Sequence, residues 1–254
     1  MEIKAIITDL DRTLLHTDKT LSVYTISTLH RCRENGIFVM AATARPYRSI
    51  EDYDNVIGFD GAVTMNGAVI IMPQGKVEFS IKKESAERIA AAISEFPDVF
   101  LSFETDRGLY SNRDIPEWSP TVIESFSDIP DDAKIYKILA SSGEPQLYEN
   151  IGQILTCDVY HTIAAGKLIQ IMSGDATKWK GVCYMLDALG VSARNAVFFG
   201  DDNDDVEPIK NCGLGVAVSN ALPVVIDSAD AVADCNDDDG VARFIDEKII
   251  RGNL

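Results

Sequence analysis

The sequence predicts an α/β fold, a doubly wound and mostly parallel sheet (Rossmann-like) interrupted by an inserted α+β module. Three observations predict it. Short apolar runs that read as buried strands alternate with helical segments through the first third of the chain, and again through the last third. Between about residues 82 and 170 the pattern changes to hairpins mixed with helices. Finally, the chemically distinctive clusters fall where strands end or helices begin, the edge at which open α/β sheets bind ligands. The expected domains are 1–81 and 171–254 for a core split in sequence, and 82–170 for the insert.

The elements follow in order. "IKAIIT" reads as a buried strand. "SVYTISTLHRCRENG" reads as a helix capped by Ser22 and ended by Gly36, with Val23, Ile26, Leu29 and Cys32 as its apolar stripe. "IFVMAAT" is the second strand. "RPYRSIEDY" reads as a short helix with Pro46 in its first turn, and "AVTMNGAVII" as a hairpin around Asn66-Gly67. In the insert, "KESAERIAAAISEF" is an amphipathic helix and "VFLSFETDRGLYSN" is two strands about Asp106-Arg107-Gly108. "AKIYKILAS", a helix near 144–155 and "AGKLIQIM" complete it. The last third alternates helix and strand: "TKWKGVCYMLDALG", "NAVFFG", "DVEPIKNCG", "LGVAV" and "ALPVVIDSA".

Composition narrows the function. The chain has 254 residues, 46% of them hydrophobic, which is ordinary for a globular protein with a core. Its net charge of −17 argues against binding nucleic acid or an anionic membrane through bulk charge. An anionic small molecule would need a metal or a well-placed local cation. Cys32, Cys157, Cys183, Cys212 and Cys235 are scattered and form no CxxC pair, as expected of free thiols in a reducing cytosol. The start lacks the apolar stretch of a signal peptide, and no apolar run approaches the ~20 residues of a membrane span. The expectation is a cytoplasmic monomer or small homo-oligomer. His16, His30 and His161 lie too far apart in sequence to suggest a metal cluster.

Four places carry chemistry. "DLDRT" sets Asp9 and Asp11 one residue apart at the end of an apolar run. Carboxylates that close raise each other's pKa unless a cation or a shared proton lies between them. "ATAR" ends the second strand with the hydroxyl of Thr43, "DATKWKG" opens a helix with Lys178 and Lys180, and "GDDNDD" puts four carboxylates within five residues. Each alone has an ordinary explanation: solvated acids, a helix cap, exposed lysines, acids favoured at a helix start. Together they would be four accidents at one edge of one sheet. A calcium loop starting at Asp201, Asn203 and Asp205 fails because Val206 stands where glycine is required. The run at Asp234, Asn236 and Asp238 fails in the same way at Asp239. "GLGVAV" has too few glycines for a dinucleotide fingerprint.

DxDxT, then Thr, then Lys, then GDDxxD, in this order, resembles the haloacid dehalogenase superfamily of aspartate-dependent phosphohydrolases. "MNGAVI", "FGDDNDDVEPIKNCGLGVAVSNA" and "DDDGVARFI" resemble its Cof-type sugar-phosphatase branch, in which a large α/β cap is inserted. The resemblance lies in the two ends of the chain; the insert adds little.

It implies a Mg²⁺-dependent phosphatase of a small phosphorylated metabolite. Asp9 would be the nucleophile and form an aspartyl-phosphate. Asp11 would protonate the leaving alcohol and then deprotonate the attacking water. Thr43, with Leu10 and Ala44 beside it, would hold phosphate oxygens, and Lys178 would neutralise the phosphate and orient Asp9. Lys178 is preferred to Lys180 because the family places its lysine three residues before a small residue, here Gly181. Metal ligands would be Asp9, the Asp11 carbonyl, and Asp201 or Asp205 in direct or outer contact. Two departures matter: Asp204 falls where the branch has an asparagine that contacts phosphate, and a second anion there repels it, while Arg12 stands where glycine or aspartate is common and is either tolerated or placed to contact cap or substrate; Ala44 is a minor one. Phosphate monoesters need accelerations of up to ~10²¹, on the order of 29 kcal/mol. Acid–base catalysis supplies only ~10²–10⁴, so nucleophile, proton carrier, cation and positioning must act together. The cap is expected to close over the site and read the leaving group. Alternatives are a phosphomutase, a nucleotide or cofactor phosphatase, or a non-catalytic sugar-phosphate sensor. A signalling receiver domain is disfavoured by length and by the presence of Asp11.

Overall fold

The structure is a computed structural model that describes residues 2–164 and 166–252. Its strands are β1 (Ala5–Thr8), β2 (Phe38–Ala42), β3 (Gly61–Thr64), β4 (Val69–Met72), β5 (Gly75–Glu78), β6 (Phe100–Thr105) and β7 (Gly108–Ser111), then β8 (Thr121–Val122), β9 (Ile135–Ser141), β10 (Val159–Ala164), β11 (Leu168–Ser173), β12 (Ala196–Gly200), β13 (Leu214–Val218) and β14 (Ala231–Ala233). Its helices are α1 (Val23–Glu34), α2 (Glu51–Ile57), α3 (Lys83–Ser94), α4 (Pro145–Ile154), α5 (Lys178–Ala188), α6 (Val206–Asn211), α7 (Pro223–Ile226) and α8 (Gly240–Phe244). The chain divides into two compact units: residues up to Val77 together with those from Thr177 onward, and Glu78–Ala176.

The first unit holds a sheet in the order β14-β13-β12-β1-β2-β3-β4-β5. Pairing is parallel from β14 to β3 and turns antiparallel between β3 and β4. β1 is buried along its whole length, as are most residues of β2, β12 and β13. That is why these strands read as unbroken apolar runs: a parallel sheet covered on both faces has no solvent face to make polar. Ile6, Val39, Ala41, Val197, Phe199, Val216 and Val218 form one side's core, with Leu29 and Cys32 packed into it. From β1 the chain winds outward through β2 and β3, and from β12 the other way through β13 and β14. The winding reverses between β1 and β12, so the loops after these two strands part and leave a crevice at their carboxyl ends.

The second unit is an α+β module. Its sheet runs β10-β11-β9-β6-β7-β8, antiparallel except between β7 and β8. Ile89 and Ile93 of α3 and Leu147 and Ile151 of α4 share a core with Leu101, Phe103, Ile138, Ala140 and Ile171.

Some expectations need correction. The buried face of α1 is Thr25, Thr28, Leu29 and Cys32, whereas Val23 is 83% exposed. The face is rotated because Thr25 donates its hydroxyl to Asp239 Oδ1 (2.9 Å), which makes a polar residue the inward one. The helix expected across "RPYRSIEDY" is a single tight turn, Tyr47–Ser49, followed by α2 over Glu51–Ile57. Strand β10 is not marked in the sequence: all six of its residues are half-buried, so it has no buried face to impose an alternation of polar and apolar residues. β14 is too short to show a period.

Candidate active site

Asp9 follows β1 directly. Its N–H donates to the Phe199 carbonyl (2.9 Å), which carries the parallel pairing one residue beyond the strand. The chain then turns sharply. Arg12 is in the left-handed region (φ 60°), and the Leu15 N–H returns to the Leu10 carbonyl (2.8 Å). Leu10, Leu14 and Leu15 are buried in the core and anchor the turn. Leu10 can therefore offer a ligand its backbone and not its side chain. The turn separates the two aspartates that the sequence sets side by side. Asp9 points to Lys178, while Asp11 accepts two hydrogen bonds from Arg45 (2.6 and 2.7 Å) and one from Lys19 (2.6 Å). Burial opposes ionisation of Asp11, but these bonds outweigh it and hold its carboxyl below the usual range.

Thr43 directly follows β2 and is buried; its N–H donates to the Val63 carbonyl (2.8 Å). Its hydroxyl accepts the Arg45 N–H (3.2 Å), which leaves the hydroxyl proton to donate elsewhere. Ala44, next to it, is half-buried.

Lys178 opens α5 behind Thr177, whose hydroxyl accepts the Lys180 N–H (3.1 Å). Lys180 is exposed and Lys178 is 3% exposed. The buried ammonium lies 2.6 Å from Asp205 Oδ1, 3.1 Å from Asp9 Oδ1 and 3.4 Å from Asp204 Oδ2. Burial alone would lower its pKa; the carboxylates of Asp204, Asp205 and Asp9 reverse that and hold it charged.

The acidic loop follows β12. Asp205 folds back so that its Oδ2 accepts the N–H groups of Asp201 (2.9 Å) and Asp202 (3.1 Å). This requires Gly200, where a Cβ would stand 2.4 Å from the Cβ of Asp205. Thr13 donates to Asp201 Oδ1 (2.9 Å). The Arg12 guanidinium lies 4.0 Å from Asp201 Oδ2 and donates to the Asn220 carbonyl (3.3 Å).

Asp9, Asp201 and Asp205 are all buried, and each offers a carboxylate oxygen within 4.8 Å of the others. Burial, opposed by Lys178 and reinforced by the neighbouring carboxylates, pushes Asp9 well above the usual range. Burial and Asp205 push Asp201 up to about 7. Asp205 rises to about 6 through burial, against the pull of Lys178. One ammonium does not balance these acids, and a set of oxygen donors short of positive charge suits a hard divalent cation. The residues fit a metal.

Asn66 was read from the sequence only as a hairpin turn. In the structure Met65, Asn66 and Gly67 all have positive φ (50°, 57° and 105°). The Met65 N–H donates to the Arg45 carbonyl (3.0 Å) and the Asn66 N–H to the Thr43 carbonyl (3.1 Å). The Asn66 amide donates to Asp204 Oδ2 (2.5 Å). A Cβ on Gly67 would lie 2.3 Å from the Thr177 carbonyl oxygen. This turn thus touches the loops carrying Thr43, Lys178 and Asp204. The available signal was that Asn66-Gly67 is flanked by apolar runs on both sides, which places a hairpin tip inside the protein.

Residues 6–245 match the family model described as haloacid dehalogenase-like hydrolase. The chain belongs to this family. Its Cof-type branch, expected from the ordered motifs, is the branch found. The 5-amino-6-(5-phospho-D-ribitylamino)uracil phosphatase YitU of Bacillus subtilis is 27% identical, over 94% of this chain and 95% of that one. A phosphoglycolate phosphatase of Methanopyrus kandleri is 26% identical, over 94% of each chain. The pyridoxal phosphate phosphatase YbhA of Escherichia coli is 24% identical, over 98% of this chain and 100% of that one. Among solved structures, a haloacid dehalogenase-like hydrolase from B. subtilis superposes with a TM-score of 0.87 at 22% identity, covering 97% of this chain and 100% of that one. A sugar phosphatase of subclass IIB of the family gives 0.82 at 21% identity, covering 96% and 98%. No helix among the described residues is long and apolar enough to cross a membrane.

Proposed function

We propose that this phosphoric monoester hydrolase cleaves a small phosphorylated metabolite, a sugar phosphate first among candidates, through an aspartyl-phosphate on Asp9 and with Mg²⁺ as cofactor. The observation that carries the proposal is the buried Asp9 carboxylate, 3.1 Å from the Lys178 ammonium and grouped with Asp201 and Asp205.

Asp9 attacks phosphorus, and the leaving alcohol departs from the opposite side. Lys178 fixes the Asp9 carboxylate and faces the charge of the transferred phosphoryl group. Thr43 donates its hydroxyl proton to a phosphate oxygen, with the backbone at Leu10 and Ala44 beside it. Asp9 and Asp201, with the Asp11 carbonyl, would hold Mg²⁺, which when bound supplies charge neutralisation at the phosphoryl oxygens. Asp201 suits this better than Asp205, because both oxygens of Asp205 are already engaged, one by Lys178 and one by two backbone N–H groups. Asp205 instead shapes the loop and anchors the lysine.

Asp11 has two tasks with opposite demands. As the carboxylate held by Arg45 and Lys19 it is ready to take a proton from the water that cleaves the intermediate. To protonate the leaving group first, it must loosen from Arg45 and carry a proton.

The three named relatives act on a ribitylaminouracil phosphate, phosphoglycolate and pyridoxal phosphate. These share a phosphate and little else, which supports a common phosphoryl end and leaves the alcohol to be read by other residues. The five free thiols, Cys157 exposed among them, support work in the reducing cytoplasm. We expect a monomer or small homo-oligomer with no nucleic-acid or membrane partner. Phosphate release from a panel of sugar, nucleotide and cofactor phosphates, with Mg²⁺ and with EDTA, tests the proposal. Metal-dependent turnover favouring sugar phosphates is expected, and a metal-loaded protein inert to the whole panel would count against it.

A further inference from the structure

The clustered acids Asp9, Asp201, Asp204 and Asp205 are not equivalent. Asp9 and Asp201 face the position proposed for the metal, and Asp205 is consumed by its own loop and Lys178. Asp204 does none of these things. Its Oδ2 accepts the Asn66 amide (2.5 Å) and lies 3.4 Å from Lys178 Nζ. Its side chain is still 17% exposed, the most open of the three acids that meet this lysine. Asn66 is itself fixed, buried at positive φ with its N–H on the Thr43 carbonyl. The Asp204 carboxylate is therefore pinned between the loop of Thr43 and the head of α5, the two elements on which the proposed phosphate site rests.

Charge decides what it does there. Asp9, Asp201, Asp204 and Asp205 cluster about one buried ammonium, with the Arg12 guanidinium 4.0 Å from Asp201, so acidic groups outnumber cations. Asp204 thus adds attraction for a cation and repulsion for the phosphate anion, in a buried setting where such terms are poorly screened.

We propose that Asp204 is an affinity-setting residue of the site: its carboxylate tightens the hold on the divalent cation and loosens the hold on phosphate, so that the product leaves readily. The inference rests on the phosphatase reading above.

Asp204→Asn separates charge from geometry. The new amide oxygen still accepts from Asn66 and faces Lys178, and the charge is lost. Asp204→Ala removes both. Titration calorimetry measures Mg²⁺ binding to each protein, and then inorganic phosphate binding to the Mg²⁺-loaded form. Both variants are expected to bind phosphate about tenfold more tightly, equivalent to about 1.4 kcal/mol, and Mg²⁺ several-fold more weakly. In turnover, product inhibition strengthens to match. If Asp204→Asn matches wild type in both affinities while Asp204→Ala differs, the residue acts by geometry and the inference is overturned. Unchanged affinities in both variants overturn it too. Wild type that binds neither Mg²⁺ nor phosphate overturns the phosphatase reading itself, and the inference with it.

Discussion

Replacing Gly67 by alanine should damage the site through the backbone alone. Gly67 has φ 105°, a conformation that costs an L-residue about 1–2 kcal/mol. Its added Cβ would lie 2.3 Å from the Thr177 carbonyl oxygen, 2.6 Å from its carbon and 2.9 Å from its nitrogen. These are main-chain atoms immediately before Lys178, so relief requires moving either the Asn66 turn or the start of α5. Overpacking against atoms that cannot rotate away adds about 1–3 kcal/mol. The expected total is about 2–5 kcal/mol. Gly190→Ala is the matched control: φ there is 66°, and a Cβ meets nothing within 4 Å. It should cost the backbone term only, about 1 kcal/mol. Urea unfolding of the two variants isolates the contact term as their difference. Phosphatase activity of Gly67→Ala, assayed where it is still folded, should fall far more than that of Gly190→Ala, since Asn66 and Lys178 are displaced together. Equal midpoints and equal activities for the two variants would refute the claim that this turn braces the catalytic loops.

The other predictions address single groups. Lys178→Gln should lower kcat by about 10²-fold or more, since a fixed charge facing the transferred group is lost, with the circular dichroism spectrum retained; a loss confined to KM would contradict the role given to it. Asp11→Asn should slow turnover by ~10²–10⁴ while leaving Mg²⁺ affinity nearly unchanged, because the backbone carbonyl remains; comparable losses in both would undermine the proton-transfer role. Asp239 sits at φ 56°, accepts from Ser22 (2.7 Å) and Thr25 (2.9 Å), and pairs with His16 (3.1 Å). Burial opposes its ionisation, but those partners hold its carboxyl below the usual range. A depressed carboxyl stabilises the fold fully above the unfolded value of ~3.9 and loses this as pH falls through the folded value. Asp239→Asn, which tolerates the left-handed backbone, should therefore cost about 1 kcal/mol at neutral pH, and urea unfolding should show the difference closing below about pH 4.

The legible parts of the protein were those whose physics is local. Buried parallel strands show themselves as apolar runs, and the ends of α1 through Ser22 and Gly36. Asp9, Asp201, Asp205 and Lys178 are expected from sequence, and the structure brings them together because Asp9 and the acidic loop leave the same edge of one sheet and the start of α5 sets Lys178 against them. Partner choice across the fold was less legible. Asp9 and Asp11 look like a pair, but the chain turns as soon as it passes Asp9, and Asp11 finds Arg45 instead. The role of Asn66 depends on contacts with Thr43, Thr177 and Asp204, all distant in sequence. Half-buried β10 carried no period to read.

The central claim is that Asp9 becomes covalently phosphorylated during turnover. Acid quenching during hydrolysis of a substrate radiolabelled in its phosphoryl group, followed by peptide mapping, tests it most directly. The account predicts label on the Asp9 peptide, released by hydroxylamine as an acyl-phosphate should be, and no label or turnover with Asp9→Asn. Brisk turnover by the Asp9→Asn variant, with label absent from that peptide in the wild type, would contradict it.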